Sequence, residues 1–157
     1  GFRQPLIGSG AGKLPIVLIL LRRGEVKLIT RDTDYAIRAI KFIAQNKEKI
    51  ISASALVKEL RIPRPFLRKI LQTLTRKKLL ASYKGIGGGF VMTKSPDKIF
   101  LLDLIAIFQG PVTFNECFFK KMICPDMKNC VLKKKMRKME RDFITQLSSI
   151  NIASLLK

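Results

Sequence analysis

The sequence predicts a mainly α-helical fold with one small β-hairpin and a long C-terminal helix. Three patterns support this prediction. Apolar residues recur at helical spacing in three successive segments between residues 33 and 77, a glycine-rich turn separates two strand-like runs within 79–93, and an apolar stripe runs through a highly charged C-terminal segment. The length of 157 residues fits one domain, or one domain plus an appendage.

The composition indicates a polyanionic partner and argues against an enzyme. Lys and Arg number 31 against 11 Asp and Glu, which gives a formal net charge of +20, and 47% of the residues are hydrophobic, enough for a core. Histidine is absent, which excludes Ser-His-Asp and Cys-His catalysis and histidine-ligated zinc. The sequence also offers no nucleotide-binding motif and no clear pair of inward-facing carboxylates. We therefore expect a binding protein.

The N-terminal 25 residues differ from the rest of the chain. We expect 1–25 to be an unstructured or non-native extension, with Val26 as the natural start encoded by GTG; a genuine flexible tail is the alternative. The longest apolar run, 14–21, has eight residues, whereas a membrane-spanning helix needs about 20. We therefore expect a cytoplasmic protein that does not enter the membrane.

The first predicted helix begins near Thr33, with N-terminal signals at positions 32–34. Its apolar stripe comprises Ala36, Ile37, Ile40, Ile43 and Ala44. A short second helix is expected over 54–60, with Ser52 or Ser54 as its N-cap. Arg61 and Ile62 then form a tight connection.

A third helix is expected from Pro63 to Lys77. Its apolar face comprises Phe66, Leu67, Ile70, Leu71 and Leu74, and its other faces carry Arg64, Arg68, Lys69, Gln72 and Arg76. Two short helices joined by a tight turn, the second with a basic outer face, are typical of a helix-turn-helix that enters the DNA major groove.

A β-hairpin is predicted directly after the third helix. The segments 79–83 and 90–93 are expected to be strands, and the turn 84–89 contains four glycines. A phosphate-binding loop would need Lys-Ser or Lys-Thr after the last glycine, but Phe90 follows it here. The hairpin is therefore predicted to be the wing of a winged helix-turn-helix, with Lys84 at its tip.

The C-terminal third is predicted to contain a helix over 101–108, a loop over 112–130 and a helix from Val131. The last helix has an apolar stripe of Leu132, Met136, Met139, Phe143, Leu147 and Ile150. Since little core remains for this stripe to cover, we expect it to pack on a partner chain. The alternative is that it folds back on its own domain.

All three cysteines lie within fourteen residues of the predicted loop: Cys117, Cys124 and Cys130. Neighbouring lysines favour their thiolate form, which binds soft metals or reacts with oxidants. An iron-sulfur cluster, zinc and redox-active thiols are the alternatives. With no histidine, a fourth ligand must be a carboxylate, another side chain, a backbone group, a small molecule or a residue of a partner subunit.

DNA is the partner favoured by the charge together with the helix-turn-helix and wing; RNA is the alternative. Arg64, Arg68 and Gln72 have the reach and the donors to contact base edges. The full set of candidate DNA-binding residues is Arg64, Phe66, Arg68, Lys69, Gln72, Lys84, Gly85, Ile86 and Gly87.

Four segments together resemble the Rrf-two family of bacterial winged-helix transcriptional regulators, which includes IscR-, NsrR- and RirA-like proteins. They are TDYAIRA at 33–39, IPRPFL at 62–67, KGIGGGF at 84–90 and the three-cysteine loop before a long helix. The most specific are the first and the third. The resemblance covers Val26 to about Phe143.

The resemblance implies a homodimeric repressor that binds a double-stranded DNA operator. Its affinity for DNA would be set by a 2Fe-2S or 4Fe-4S cluster that senses redox, nitric oxide or iron status and is held by Cys117, Cys124 and Cys130. The implied organisation is a DNA-binding domain at 26–95, a connecting helix at 96–110, a cluster-binding loop at 111–130 and a dimerisation helix at 131–157.

Asp34 matches an aspartate that reaches the partner subunit's cluster in the NsrR branch, so it is a candidate ligand; a helix-capping role is the alternative. The sequence departs from the IscR branch at two positions. Lys133 stands where that branch has a histidine ligand, and Arg68 replaces an acidic residue used for operator discrimination. The spacing between the first two cysteines is also one residue longer than is common in the family.

Overall fold

The computed structural model of the protein describes residues 28–114 and 130–156. The α-helices of this part are α1 (Arg31–Gln45), α2 (Ala53–Leu60), α3 (Arg64–Arg76), α4 (Leu101–Gln109) and α5 (Val131–Ser149). The strands β1 (Leu80–Tyr83) and β2 (Gly89–Met92) lie between α3 and α4, and short 3-10 turns cover Pro96–Lys98 and Ala153–Leu155. The predicted extension 1–25 and the cysteines 117 and 124 lie outside the described residues.

Helix α1 forms the centre of the core. Its buried apolar residues are Ala36, Ala39, Ile40, Ile43 and Ala44, on the face that the sequence predicts. The N-cap is Thr30, earlier than predicted, and its hydroxyl accepts a hydrogen bond from the Thr33 N–H. Asp32 and Asp34 lie in the first turn, where their negative charges interact favourably with the positive end of the helix dipole. Asp34 is therefore not the cap.

Helices α2 and α3 form the predicted helix-turn-helix. The Ser52 hydroxyl caps α2 by accepting from the Ala55 N–H at 3.1 Å, and Arg61 takes the left-handed conformation (φ 52°) that reverses the chain before Ile62. Leu67, Ile70, Leu71 and Leu74 of α3 are buried.

Phe66 was expected on the buried face of α3 but is 47% exposed. The buried stripe is centred on Leu67, and a neighbouring helix position is rotated by about 100° from it. That rotation carries the Phe66 ring out of the core.

The hairpin is antiparallel and is anchored to the rest of the domain. Leu80 pairs with Met92 and Tyr83 with Gly89. Ile51, directly before α2, exchanges two backbone hydrogen bonds with Phe90, at 3.0 and 2.9 Å. A Cβ on Gly89 would lie 2.4 Å from the Ile51 carbonyl oxygen, so this close approach requires glycine.

The C-terminal end of α5 packs on its own domain, as the alternative expectation held for this helix. Leu147 is buried with Leu101 and Ile105 of α4, and Phe143 and Ile150 pack against them. Beyond the helix, the Ile152 N–H donates to the Ile99 carbonyl at 2.9 Å, and its side chain is 0% exposed in the main core.

The N-terminal half of α5 has a different environment. Val131, Leu132 and Met139 are 65%, 64% and 56% exposed. Within 28–114 and 130–156, the predicted stripe is therefore buried only at its C-terminal end. None of the helices in 28–114 or 130–156 is long and apolar enough to cross a membrane.

Candidate nucleic-acid interface

The helix-turn-helix and hairpin form a continuous segment with charges of one sign. Between Glu59 and Asp97 the sequence has no acidic residue and nine basic ones: Arg61, Arg64, Arg68, Lys69, Arg76, Lys77, Lys78, Lys84 and Lys94. Asp97 closes this segment, and the Ser95 hydroxyl that bonds to its carboxylate lowers the pKa of Asp97 below its usual value. A surface of this charge attracts the phosphates of a nucleic acid.

The outer face of α3 presents donors in a regular row. Arg64, Arg68, Gln72 and Arg76 follow one another at spacings of four residues, so they lie along one side of the helix, and all four are exposed. Arginine and glutamine can each bind a base edge through two hydrogen bonds. The geometry therefore gives α3 the chemistry of a recognition helix.

Lys69 lies on the same helix but is engaged within the chain. Its ammonium group donates to a carboxylate oxygen of Asp32 in α1, at 3.2 Å. The Lys69 side chain is 72% exposed and that of Asp32 is 32% exposed. A phosphate contact by Lys69 must therefore compete with Asp32, a contact that the sequence spacing of 37 residues does not indicate.

The tip of the hairpin is a tight turn over 85–88. The Gly88 N–H donates to the Gly85 carbonyl at 3.0 Å, and Gly87 has φ +78°, as the third residue of a type II turn requires. Lys84, Gly85, Ile86 and Gly87 are all exposed, and Ile86 is the most exposed, at 110%. All nine predicted DNA-binding residues therefore lie at the surface.

A groove between α3 and the hairpin brings the predicted Gln72 together with four residues outside the predicted set. It is lined by Gln72, Thr75, Arg76, Ser82 and Phe90. Arg76 is held in place here by donating to the Thr73 hydroxyl at 3.2 Å. The i+4 continuation of the row from Gln72 to Arg76 is the sequence signal that could have identified this arginine.

Of the three cysteines predicted as ligands, Cys130 is the one that lies among the described residues. Cys130 is the N-cap of α5, and its sulfur accepts a hydrogen bond from the Lys133 N–H at 3.4 Å. Asp34, the other candidate ligand in the described part, pairs with Arg38 at 3.0 Å. Within 28–114 and 130–156, no three His, Cys, Asp or Glu side chains are grouped as metal ligands. Cys117 and Cys124 lie outside those ranges.

The segment that contains these cysteines is attached to α5 at both ends. Cys130 begins the helix, and before the segment the Phe114 N–H donates to the Glu140 carboxylate at 3.0 Å. The Phe114 ring also packs on Phe143, with ring centroids 5.0 Å apart.

Gln109 forms a joint between the end of α4 and the start of α1, which the sequence did not indicate. The Gln109 side-chain oxygen accepts from the Thr30 N–H and from the Thr33 hydroxyl, both at 2.9 Å. The Gln109 amide nitrogen donates to the Leu28 carbonyl at 3.0 Å. The residue that ends α4 therefore holds the first turn of α1, whose Asp32 contacts the recognition helix.

Comparisons with known proteins agree with this architecture. The model of the Rrf2 family, described as an iron-dependent transcriptional regulator, matches residues 29–157. A putative HTH-type transcriptional regulator of Aquifex aeolicus is 33% identical over 92 residues, which are 59% of this chain and 64% of that relative, so just under two thirds of the relative is spanned.

Two solved structures share the fold. CymR, the global cysteine regulator of B. subtilis, superposes with a TM-score of 0.67 over 82% of this chain and 95% of CymR. T. potens IscR gives 0.64 over 82% of this chain and 85% of IscR. Both are 22% identical to this chain, so they show the winged-helix fold alone.

Proposed function

Because the chain belongs to the Rrf2 family of transcriptional regulators, we propose that it is a cytoplasmic, homodimeric repressor whose affinity for operator DNA depends on an iron-sulfur cluster. Its family and its fold are those of regulators, not enzymes. The proposal concerns what this regulator binds and what it senses.

Binding to double-stranded DNA is supported by the basic surface that the acid-free segment 60–96 presents, and sequence specificity by the donor row of α3. On this surface the row of Arg64, Arg68 and Gln72 would enter the major groove, and Lys84 would contact phosphate beside the adjacent minor groove. Phosphate contacts supply affinity for any sequence, whereas base-edge contacts discriminate between sequences.

These two roles predict different consequences of alanine substitution. Arg68→Ala should relax base preference at one operator position, by about 1 to 3 kcal/mol. Lys84→Ala should weaken binding to all DNA sequences alike and reduce the salt slope of log K by about 1. Binding of both variants to a selected operator and to scrambled DNA, measured over a salt series, tests the assignment. Equal loss of operator preference in both variants would contradict it.

The cluster is proposed to be held by Cys117, Cys124 and Cys130. Three soft thiolates suit iron-sulfur clusters, and the matching family model is described as iron-dependent. Cys130 is compatible with such a ligand, because its sulfur lies at the N-terminal end of α5 and accepts a hydrogen bond from the Lys133 N–H, as cluster-ligating sulfurs do.

The attachment points of the cysteine segment also suit convergence of the three thiols. Cys130 and Glu140 are ten positions apart on α5, so about 15 Å of helix separates the two attachments. Residues 115–129 can span up to about 50 Å when extended, which leaves slack for a folded ligand loop. A fourth ligand is proposed from Asp34 of the partner subunit, which would first have to leave Arg38.

Control of DNA affinity is proposed to act through α5. When bound, the cluster would supply an oxidisable set of iron-thiolate bonds that tie the loop to the first turn of α5. Cys130 then fixes that turn, and the paired α5 helices set the angle between two DNA-binding surfaces. Half-sites at a given spacing fit only one such angle, so release of the cysteines shifts the population away from the binding form.

The first experiment is iron and acid-labile sulfide analysis, with an absorption spectrum, on protein purified without oxygen. We expect broad visible absorption and stoichiometric sulfide, both lost in the three Cys→Ala variants. The control is Ser148→Ala, at an exposed position in the last turn of α5. Colourless protein that stays empty after anaerobic reconstitution would exclude the cluster. Cysteine variants with wild-type operator affinity in air and without air would exclude cysteine control altogether.

A second candidate function is a winged-helix repressor that senses oxidants through its thiols or holds zinc. It is favoured by the three cysteines themselves, since thiols can react with an oxidant or bind zinc without iron or sulfide. Zinc analysis and thiol titration before and after peroxide distinguish these cases from the cluster. This candidate predicts oxidation-dependent operator release without iron or sulfide.

A further inference from the structure

Among the described residues, none covers the large aliphatic side chain at the tip of the hairpin. Ile86 is 110% exposed, beyond any other large apolar residue in the described part of the chain. Turn positions favour Gly, Pro, Asn, Asp and Ser, and a β-branched side chain gains nothing from full exposure to water. The described part of the chain therefore gives no reason for this side chain, and a binding partner does.

The turn aims this side chain away from the domain. Ile86 lies at the second position of the turn, between Gly85 and Gly87, and neither glycine has an atom within 4 Å of where its Cβ would stand. With bare glycines on both sides, the Ile86 side chain projects alone from the end of the hairpin. A projecting aliphatic group of this kind is a wedge that fits between flat surfaces.

The hairpin that carries Ile86 is anchored to the domain by hydrogen bonds. Its base is fixed by the Ile51 and Phe90 backbone pair and by the Thr93 hydroxyl, which donates to the Lys78 carbonyl at 2.6 Å. The Thr93 N–H also donates to the Leu79 carbonyl at 3.2 Å. A group mounted on an anchored element loses little freedom when it inserts.

The basic residues around Ile86 favour nucleic acid over protein as its binding partner. Lys77, Lys78, Lys84 and Lys94 flank or occur within the hairpin, and the whole segment 60–96 lacks acidic residues. A protein partner for an apolar tip would not require such a charge, whereas a duplex does. Apolar side chains set among basic ones enter the minor groove and unstack a base step, which kinks the duplex towards the major groove.

Resting on the proposed function, we infer that Ile86 is a minor-groove wedge that partly unstacks one base step in each half-site and bends the operator. The step would be pyrimidine-purine, because TA and CA/TG steps unstack most easily. Ile86 then determines sequence preference at a position where no hydrogen bond reads a base.

The test uses full-length protein and an operator selected by the wild-type protein from a random duplex library. Bending is measured by fluorescence transfer between end labels, and unstacking by 2-aminopurine placed at successive positions. Wild-type protein should raise the fluorescence at one step per half-site and shorten the end-to-end distance. Ile86→Ala should abolish both signals, lower operator affinity about tenfold, and lose the preference for a pyrimidine-purine step.

Leu28→Ala is the matched control, because it removes an aliphatic side chain that is 53% exposed and lies outside the helix-turn-helix and hairpin. It should leave bending and 2-aminopurine fluorescence at wild-type values. If Ile86→Ala bends and unstacks the operator as the wild type does, the wedge is refuted while the regulator stands. If the wild-type protein selects no sequence from the library, the proposed function itself fails.

Discussion

On the proposed DNA-binding surface of α3 and the hairpin, neighbouring residues carry distinct chemical roles. Arg64, Arg68 and Gln72 are directed outwards from one side of α3, whereas Lys69 is held by Asp32. Asp32 is one of two acidic residues in the first turn of α1, where its negative charge also interacts favourably with the helix dipole. It therefore has a structural reason to be present, and it also neutralises a cation beside the row of Arg64, Arg68 and Gln72.

Asp32→Asn is expected to increase the affinity for DNA of any sequence. The substitution frees Lys69 for phosphate and removes a negative charge from the interface, so the salt slope of log K should steepen by about 1. Binding to operator and to scrambled DNA over a salt series measures this. Asp103→Asn removes an exposed acid from the first turn of α4 and gives the control for the charge change alone. An unchanged slope in Asp32→Asn would show that Lys69 makes no phosphate contact.

Among the elements, the contacts that join helices distant in sequence define how the domain holds its shape. Gln109 connects the last turn of α4 to the cap of α1 through three hydrogen bonds. The Thr33 hydroxyl among its partners is fully buried. Buried polar groups without partners are destabilising, so this joint keeps the ends of α1 and α4 together.

Gln109→Ala should lower the free energy of unfolding by about 1 to 2 kcal/mol. The loss is limited because the Thr33 hydroxyl keeps its contact with the Thr30 hydroxyl at 3.0 Å. Urea unfolding followed by circular dichroism gives the value. Gln146→Ala, at an exposed position of α5, controls for the loss of a glutamine from a helix. Coincident unfolding curves for the two variants would mean that the joint contributes nothing.

The segment after α5 is an integral part of the domain core. Ile152 is fully buried and its backbone pairs with Ile99. Ile152→Ala is therefore expected to destabilise the protein by about 2 to 5 kcal/mol, as for other aliphatic truncations in a core. The same substitution at the exposed Ile86 serves as control and should leave the urea midpoint unchanged. An Ile152→Ala midpoint equal to that of the wild type would show that the segment is not part of the cooperative unit.

At the scale of the whole molecule, local patterns in the sequence predicted the elements and missed the contacts between them. The helical period placed α1 and α3, and the glycines of 85–89 placed the hairpin, because these signals act within a few residues. The bonds of Asp32 to Lys69 and of Gln109 to Thr33 span 37 and 76 residues. No periodicity encodes such pairs. The division of α5 into a buried end and an exposed half also depends on the tertiary position of α4.

That division bears on how two copies of the chain would assemble. Leu132 and Met139 lie seven residues apart, so they share one face of α5, and both are more than half exposed. The helix carries Lys133, Lys134, Lys135, Arg137 and Lys138 beside that face. With such charge, an apolar stripe is the feature that can bring two copies together, because the two helices otherwise repel each other.

Leu132→Glu with Met139→Glu is expected to convert the protein from dimer to monomer. Each glutamate would place a charge in the proposed interface, where desolvation without a partner is unfavourable. Sedimentation equilibrium gives the mass, with urea unfolding to confirm that the monomer is folded. Lys134→Glu with Arg141→Glu makes a larger charge change at exposed polar positions of the same helix and should remain dimeric.

If both double variants keep the wild-type mass, α5 is not the dimer interface. If both become monomeric, the change in helix charge rather than the apolar stripe is responsible. Loss of the dimer in the first variant alone should be accompanied by loss of operator binding, since two linked half-sites are then no longer engaged together.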